Sequence, residues 1–458
     1  MSITRGRLLG IATVAALALL APPTAGPAGA SITSLPVWGS VVSPNVGELA
    51  NSLSAVDGSG PADVWAVGEW NPGVPPTATG RRTLALHFDG ASWTVTPTPN
   101  AAFEGVDLTA LEGVASFAAN DAWAVGHGDD FASLRSETVA LHWDGAAWSR
   151  VATPNPAGTS LPNRLFSIDG VAADDIWAVG GVGFPARALV LRYDGTAWTR
   201  VRAPGKVELH GVFATAADDV WAVGGGVVIH WNGTSWTQVR IPRDSGDQLE
   251  DVSATGPNDV WVAGKRAIAS GEHVTFAPVV LHWDGVRWTR VLIVPGLVYD
   301  GVHAVGPDDV WVAGTTTNGL PLLAHFDGSA GFEPVPTPAP NGDGGALDDL
   351  NGVAGGELFA VGVRFEGDQA IQRTLILEAP SSTQGQVIGD TNVGFASVAW
   401  FGETSGSTET DASGGFFAPG LPAGDYTFVV SNAGCDPAVV GLSVAAGESI
   451  TQSFTVVC

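Results

Sequence analysis

The chain holds 458 residues, 45% of them apolar and only 14% charged, against about a quarter charged in ordinary globular proteins. Asp and Glu number 46 and Lys and Arg 20, a formal net charge of −26. That balance excludes a nucleic-acid partner and an anionic membrane surface, both of which need a basic face, and the apolar content excludes general disorder.

Residues 1–30 read as an export signal. Arg5 and Arg7 precede an apolar run over residues 8–21, and Ala28-Gly29-Ala30 supplies the small residues of a cleavage site. The run is shorter than the ~20 residues that span a bilayer, and no later segment reaches that length. Eighteen of the 20 basic residues are Arg, as a GC-rich bacterial genome would encode. We expect a secreted, extracellular bacterial protein with no membrane insertion.

From residue 31 to about 380 the chain repeats itself. The hexapeptide D-[VAI]-W-[AV]-[VA]-G begins at Asp63, Asp121, Asp175, Asp219, Asp259 and Asp309, and a weaker seventh copy reads Glu357-Leu358-Phe359-Ala360-Val361-Gly362. The mean spacing is 49 residues, a period typical of propeller blades in a β-rich sequence. After each of the first six copies comes Asp-Gly or Asn-Gly between apolar runs, as in Leu86-His87-Phe88-Asp89-Gly90. That pair predicts a hairpin through a type I′ turn, with φ positive at both central residues. Each repeat thus yields four strands, A to D: an apolar stretch, the Val-Trp-Ala-Val segment, the Leu-His-Trp segment and a short Trp-Thr-x-Val segment. The seventh repeat lacks its strand D, while Val37-Trp38-Gly39-Ser40-Val41 near the start matches Ser92-Trp93-Thr94-Val95. The N-terminal strand should complete the last blade and leave no open edge. The fold class expected is all-β: a seven-bladed β-propeller of four-stranded blades, closed by that strand, with a small β-sandwich behind it.

The repeat resembles that of the kelch-like propellers, through Asp175-Ile176-Trp177-Ala178-Val179-Gly180-Gly181, Leu191-Arg192-Tyr193-Asp194 and Trp198. It departs from that family in keeping the double glycine only at Gly180-Gly181 and Gly224-Gly225 and in its shorter C–D hairpin. Residues 381–458 carry Thr410-Asp411-Ala412-Ser413-Gly414-Gly415-Phe416-Phe417 and Leu421-Pro422-Ala423-Gly424-Asp425-Tyr426. This stretch is similar to the carboxypeptidase regulatory-like domain, which implies a β-sandwich accessory module without catalysis. The only two cysteines, Cys435 and Cys458, lie in it. Export favours a disulfide between them; free thiols or a dimer link are the alternatives.

Three residue sets are candidates for function. Most of the 17 Trp recur with the blades and read as packing between them, but Trp70 breaks the pattern. We place it in a long loop after the first strand B, where it would stack on a sugar or anchor a partner. His87, His142, His230, His282 and His325 share one repeat position, so they spread around a ring and read as structural. Eleven residues before each strand-B aromatic stand Ser54, Glu112, Phe166, His210, Glu250, Asp300 and Asp348. In a propeller this position begins strand A near the channel mouth, where four carboxylates and a His would hold calcium or accept bonds from sugar hydroxyls. The B–C loops should face the same side and carry Arg81, Arg82, Arg135, Arg187, Lys265, Arg266 and Arg364.

Familiar catalytic patterns are missing. Both Cys lie outside the propeller, against a galactose-oxidase-like copper site, the sialidase Asp-box spacing is absent, and no G-x-S-x-G or H-E-x-x-H occurs. The function expected is a non-catalytic binding protein whose propeller loop face recognises an extracellular glycan or protein, with Trp70, Glu112, His210, Glu250, Asp300 and Asp348 at the site. The alternative is a glycosidase or lyase using the acidic residues at the channel mouth, for example Glu250 with Asp300.

Overall fold

The computed structural model describes residues 35–458 apart from 74–79, 101–107, 131–134, 271–272, 294–296, 330, 340–343, 368–370, 382–384 and 411–413. The expected export signal, residues 1–30, lies outside the described residues. Among the described residues no helix is long and apolar enough to cross a membrane.

The repeats fold as seven four-stranded antiparallel sheets, each ordered A-B-C-D. Blade 1 consists of Ala50–Gly60, Asp63–Asn71, Arg82–Phe88 and Trp93–Val95. The inner strands of blades 2 to 7 are Leu108–Ala118, Asn163–Ala172, Gly211–Ala216, Asp247–Gly256, Leu297–Gly306 and Gly345–Gly352. Blade 7 takes its outer strand from the other end of the chain, with Gly39 paired to Glu378 and Ser40 to Leu377. The molecule is a seven-bladed β-propeller closed as the repeat pattern requires.

Each strand B is buried on both faces, as Val64, Trp65, Ala66 and Val67 illustrate. Its Trp points into the next blade. Trp65 meets Trp148 edge-on at 4.9 Å, Trp123 meets Trp198 at 5.6 Å and Trp177 meets Trp236 at 5.3 Å. Within its own blade the same ring lies against the strand-C His, Trp65 on His87 at 4.3 Å and Trp261 on His282 at 4.0 Å. That His reaches the hexapeptide Asp: His87 Nε2 lies 2.8 Å from Asp63 Oδ1, and the pair recurs at His142–Asp121, His282–Asp259 and His325–Asp309. Where Arg192 replaces the His, it donates to Asp175 and lies over Trp177. Asp, Trp and His therefore recur together because each positions the next. The histidines are spread among five blades, as the repeat implies.

The C–D hairpins differ from expectation. Only the glycine of each Asp-Gly has positive φ, Gly90 at 89° for one, and among the described residues the sole non-glycine with positive φ is Phe395. The loop runs from Phe88 to its partner Trp93, and Asp89 Oδ1 accepts the N–H groups of Ala91 and Ser92. The Asp side chain, not a type I′ backbone, shapes the turn.

Residues Gly385–Phe454 form two further sheets. Gly385–Thr391 sits between Gly415–Leu421 and Ser449–Phe454, facing a four-stranded sheet of Ser405–Glu409, Ser397–Phe401, Gly424–Ser431 and Ala438–Val444. Trp400, Phe416, Tyr426, Phe428 and Phe454 fill the space between. This is a β-sandwich, and Cys435 and Cys458 are joined by a disulfide.

Ring closure depends on one indole. Trp38 is buried against Trp311 of blade 6 at 5.5 Å. Trp38→Ala should cost about 3 kcal/mol or more of unfolding free energy, a truncation of ordinary size for a buried aromatic. Chemical denaturation checks this; a loss under about 1 kcal/mol would mean the closing strand does not hold the ring.

Candidate functional site at the channel mouth

The closing glycine of each hexapeptide determines where the site lies. A Cβ on Gly68 would overlap the carbonyl oxygen of Ser52, and the same holds at Gly126, Gly180, Gly224, Gly264, Gly314 and Gly362 against their strand-A partners. With no side chain in the way, strand A presses onto strand B and gains a bulge immediately afterwards. The register skips between Leu53 and Ala55, Leu111 and Gly113, Leu165 and Ser167, Leu249 and Asp251, Tyr299 and Gly301, and Leu347 and Asp349. The skipped residues are Ser54, Glu112, Phe166, Glu250, Asp300 and Asp348. Bulges re-aim a side chain out of the ladder. These six and His210 of blade 4 line one cavity of about 170 Å³ on the axis. Six of these residues do not begin strand A, as expected from sequence, but sit several residues into it, where the bulge turns them to the channel; His210 stands just before strand A of blade 4.

The ring divides into two arcs. In blades 4 to 6, His210 Nδ1 lies 2.6 Å from Glu250 Oε2, and Lys265 Nζ stands 3.2 Å from Glu250 Oε1 and 2.9 Å from Asp300 Oδ1. Burial alone would raise Glu250, but the His210 hydrogen bond and Lys265 outweigh it and hold the carboxyl below its usual value. Burial likewise opposes charge on His210 and Lys265, and the acids beside them outweigh it, so both are raised. Blades 7, 1 and 2 contribute Asp348, Ser54 and Glu112. Burial, then the neighbouring Asp300 and Glu112, pushes Asp348 up to about 7; burial also raises Glu112, against the pull of Arg164. Glu112 is 3.8 Å from the buried His127, whose pKa burial lowers to about 4. Phe166 fills the gap between the arcs, 5.1 Å from the His210 ring. Among the described residues no three His, Cys, Asp or Glu side chains converge as metal ligands.

Below the mouth lies a second tier, missed from sequence. Asp57 Oδ2 accepts the N–H of Ser116 at 2.7 Å, Asp169 that of Ala214 at 2.7 Å, Asp251 that of Val302 at 2.9 Å and Asp349 that of Val56 at 2.9 Å. Each carboxyl bonds the backbone of the next blade. All four touch the channel space yet are otherwise enclosed by protein. Burial pushes Asp57, Asp169 and Asp251 up to about 7 and Asp349 well above its ordinary value. The signal was an acid at fixed offset from the strand-B aromatic, eight residues before it at Asp57 and Asp169 and ten at Asp251 and Asp349. His127 and Lys265 were also legible as repeat equivalents, each four residues after its Trp.

Two placements need correction. Trp70 is not on a loop: strand B of blade 1 runs on to Asn71, and Trp70 pairs with Asn51 and Arg82, half-buried against the blade 7–blade 1 core. It is not among the residues that line the mouth. Nor do the basic residues ride on loops. Arg82, Arg135, Arg187, Lys265, Arg266 and Arg364 belong to strands; in blades 2 and 5 the B–C hairpins extend well past the hexapeptide and take in Arg135, Lys265 and Arg266. Arg81 forms an isolated bridge with Leu108 and an ion pair with Glu69.

Residues 382–457 match the carboxypeptidase regulatory-like domain. No curated protein matches the chain. Several solved structures are similar to it. YCF48 bound to a D1 peptide is 15% identical, with 76% of this chain and 98% of that one covered and a TM-score of 0.47. The GH74 xyloglucanase from Xanthomonas campestris is 12% identical over 91% and 81%, also at 0.47. Polysaccharide lyase Uly1 is 11% identical over 73% and 90%, at 0.46. Likeness at this level says nothing of ligand or chemistry.

The second tier predicts how stability responds to pH. An acid whose folded pKa is raised binds its proton more tightly folded than unfolded, so its stabilisation is complete below about pH 4 and is lost as pH rises towards 7. Asp169→Asn keeps an oxygen for the Ala214 N–H and removes the charge. It should raise stability at pH 8 by about 2 kcal/mol and change little at pH 4. Melting curves at the two pH values check this; equal effects at both would show that Asp169 is not a strained acid.

Proposed function

We propose that this is a secreted, non-catalytic binding protein. Its kelch-like propeller, residues 31–380, presents the channel mouth and surrounding hairpins to an extracellular glycan or protein, and residues 381–458 serve as an accessory module. The disulfide between Cys435 and Cys458 supports export.

One observation carries the reading against the catalytic alternative. Lys265 Nζ lies 3.2 Å from Glu250 Oε1 and 2.9 Å from Asp300 Oδ1, so those oxygens are within about 6 Å of each other. Retaining glycosidases separate their carboxyls by roughly 5–5.5 Å, with the scissile bond between them. Here an ammonium stands in that gap, bonded to both acids. His210 ties down the other oxygen of Glu250. Both acids are tied to that ammonium, and Glu250 is engaged through both of its oxygens; burial raises Asp300 against the pull of Lys265. The cavity, about 170 Å³, is also smaller than the roughly 300 Å³ at which ligand pockets begin. It suits one head group, not a polysaccharide cleft. The reading needs no bound calcium.

Residues 31–458 should therefore capture a partner from a glycan array or from envelope extract and release no reducing sugar from polysaccharides. Capture should weaken in Lys265→Ala, which unties the arc. Reducing sugar released by the wild type and abolished in Glu250→Gln would establish the glycosidase or lyase instead.

A further inference from the structure

Both arcs of the mouth carry one Glu and one Asp, but only one contains a cation. Glu250 and Asp300 come from adjacent blades and hold between them the ammonium of Lys265, four residues after Trp261 in strand B. Glu112 and Asp348 stand two blades apart with Ser54 of blade 1 between them, and the Ser54 hydroxyl donates to Glu112. The position equivalent to Lys265 is Glu69 in blade 1, His127 in blade 2 and Val363 in blade 7. Among the described residues neither Glu112 nor Asp348 forms an ion pair with Lys or Arg. Asp348 is enclosed apart from its face on the cavity and lacks a hydrogen-bond partner among the described residues.

His127 is the second sign. Its Nδ1 is buried without a hydrogen-bond partner and points at Glu112 from 3.8 Å. It is too far to bond the acid, and burial keeps it neutral. Its Nε2 stands 3.8 Å from Asp129, which Arg164 holds, so the orphaned Nδ1 facing Glu112 marks a missing group on the Glu112 side. A metal ion needs oxygens drawn in to about 2.3–2.6 Å, and among the described residues no such convergence is present. An ammonium needs only acceptors spread around it at hydrogen-bond distance.

We propose that the Asp348–Ser54–Glu112 arc receives the ammonium of a lysine side chain from a partner protein, as Glu250 and Asp300 receive that of Lys265. This deepens the binding function proposed above and depends on it. The cavity volume of about 170 Å³ admits one extended side chain. Phe166 lies between the arcs, apolar surface for the stem.

Calorimetric titration of residues 31–458 tests this with Nα-acetyl-lysine amide, its Nε-acetylated form, glucosamine and N-acetylglucosamine. Saturable binding of the free lysine at roughly millimolar concentration, absent for the Nε-acetylated form, is expected. Glu112→Gln and Asp348→Asn should each weaken it by about tenfold or more. His127→Lys places a resident ammonium in the arc; it should abolish binding and raise the melting temperature. Because that variant gains stability, a folding defect cannot mimic the result. Equal binding of both lysine forms, or binding unchanged in all three variants, overturns the proposal. Glucosamine bound in preference to lysine overturns it in favour of an amino sugar. If lysine fails while array or extract capture persists, only this inference falls; if capture fails as well, the binding function itself falls.

Discussion

The contact between a strand-A carbonyl oxygen and the last residue of each hexapeptide governs the geometry around the axis. Because that residue is glycine, the two strands approach more closely than a Cβ would allow. The ladder absorbs the approach as a bulge at the following step. A bulge leaves one residue unpaired and turns its side chain away from the sheet. Repeated around a closed ring, the same local event delivers a residue from six of the seven blades to one point, and His210 joins them from just before strand A of blade 4. The site is thus a consequence of backbone packing, and its chemistry is whatever the sequence places at the bulge.

Closing the ring poses a second problem: adjacent inner strands crowd at the axis without a shared ladder. Two solutions alternate. Blades 2, 4 and 6 carry Gly113, Gly211 and Gly301, and the next blade packs directly on their backbone. Odd blades instead use Asp or Ser side chains to bond the next blade's N–H groups, as Ser167 does for Val212 and Ser253 for Ala304. Seven is odd, so blades 7 and 1 must meet with polar groups on both sides. There Asn351 donates to Asp57 Oδ1 at 2.8 Å while Asp349 accepts from Val56. Enclosing four acids around one channel opposes their ionisation, yet each satisfies an N–H that would otherwise be buried without a partner.

Much of this was legible because it repeats. The hexapeptide gave the blade count, the unmatched segment around Trp38 gave the closure, and counting back from each aromatic gave the ring. A fixed offset survives folding when every blade obeys the same register. What escaped sequence reasoning were contacts between strands of different blades. Lys265 reaches Asp300 only because strand B of blade 5 extends beyond the hexapeptide and leans towards the next bulge. Trp70 was placed on a loop because Glu69-Trp70-Asn71 breaks the apolar pattern, but pairing with Asn51 and Arg82 prolongs the strand whatever its hydropathy. The Asp-Gly dipeptide identified the hairpin correctly and the turn wrongly, since a side-chain acceptor competes with the backbone for the same N–H groups.

The blade 5 arc also bears on how the mouth works. A half-buried lysine held by two acids is costly to break, because removing either partner strands the other charge. Such a cluster is a poor choice for a reacting group, whose protonation must change through a cycle. It suits a fixed charge pattern, in which position matters and proton exchange does not. The neighbouring arc carries the same acids without the lysine; burial raises both of its carboxyls, as it raises Asp300 beside Lys265, while Glu250 is lowered. Within one ring, then, the same residue types lie with and without an ammonium between them, and the difference is the residue four positions after the strand-B tryptophan: lysine in blade 5, histidine in blade 2.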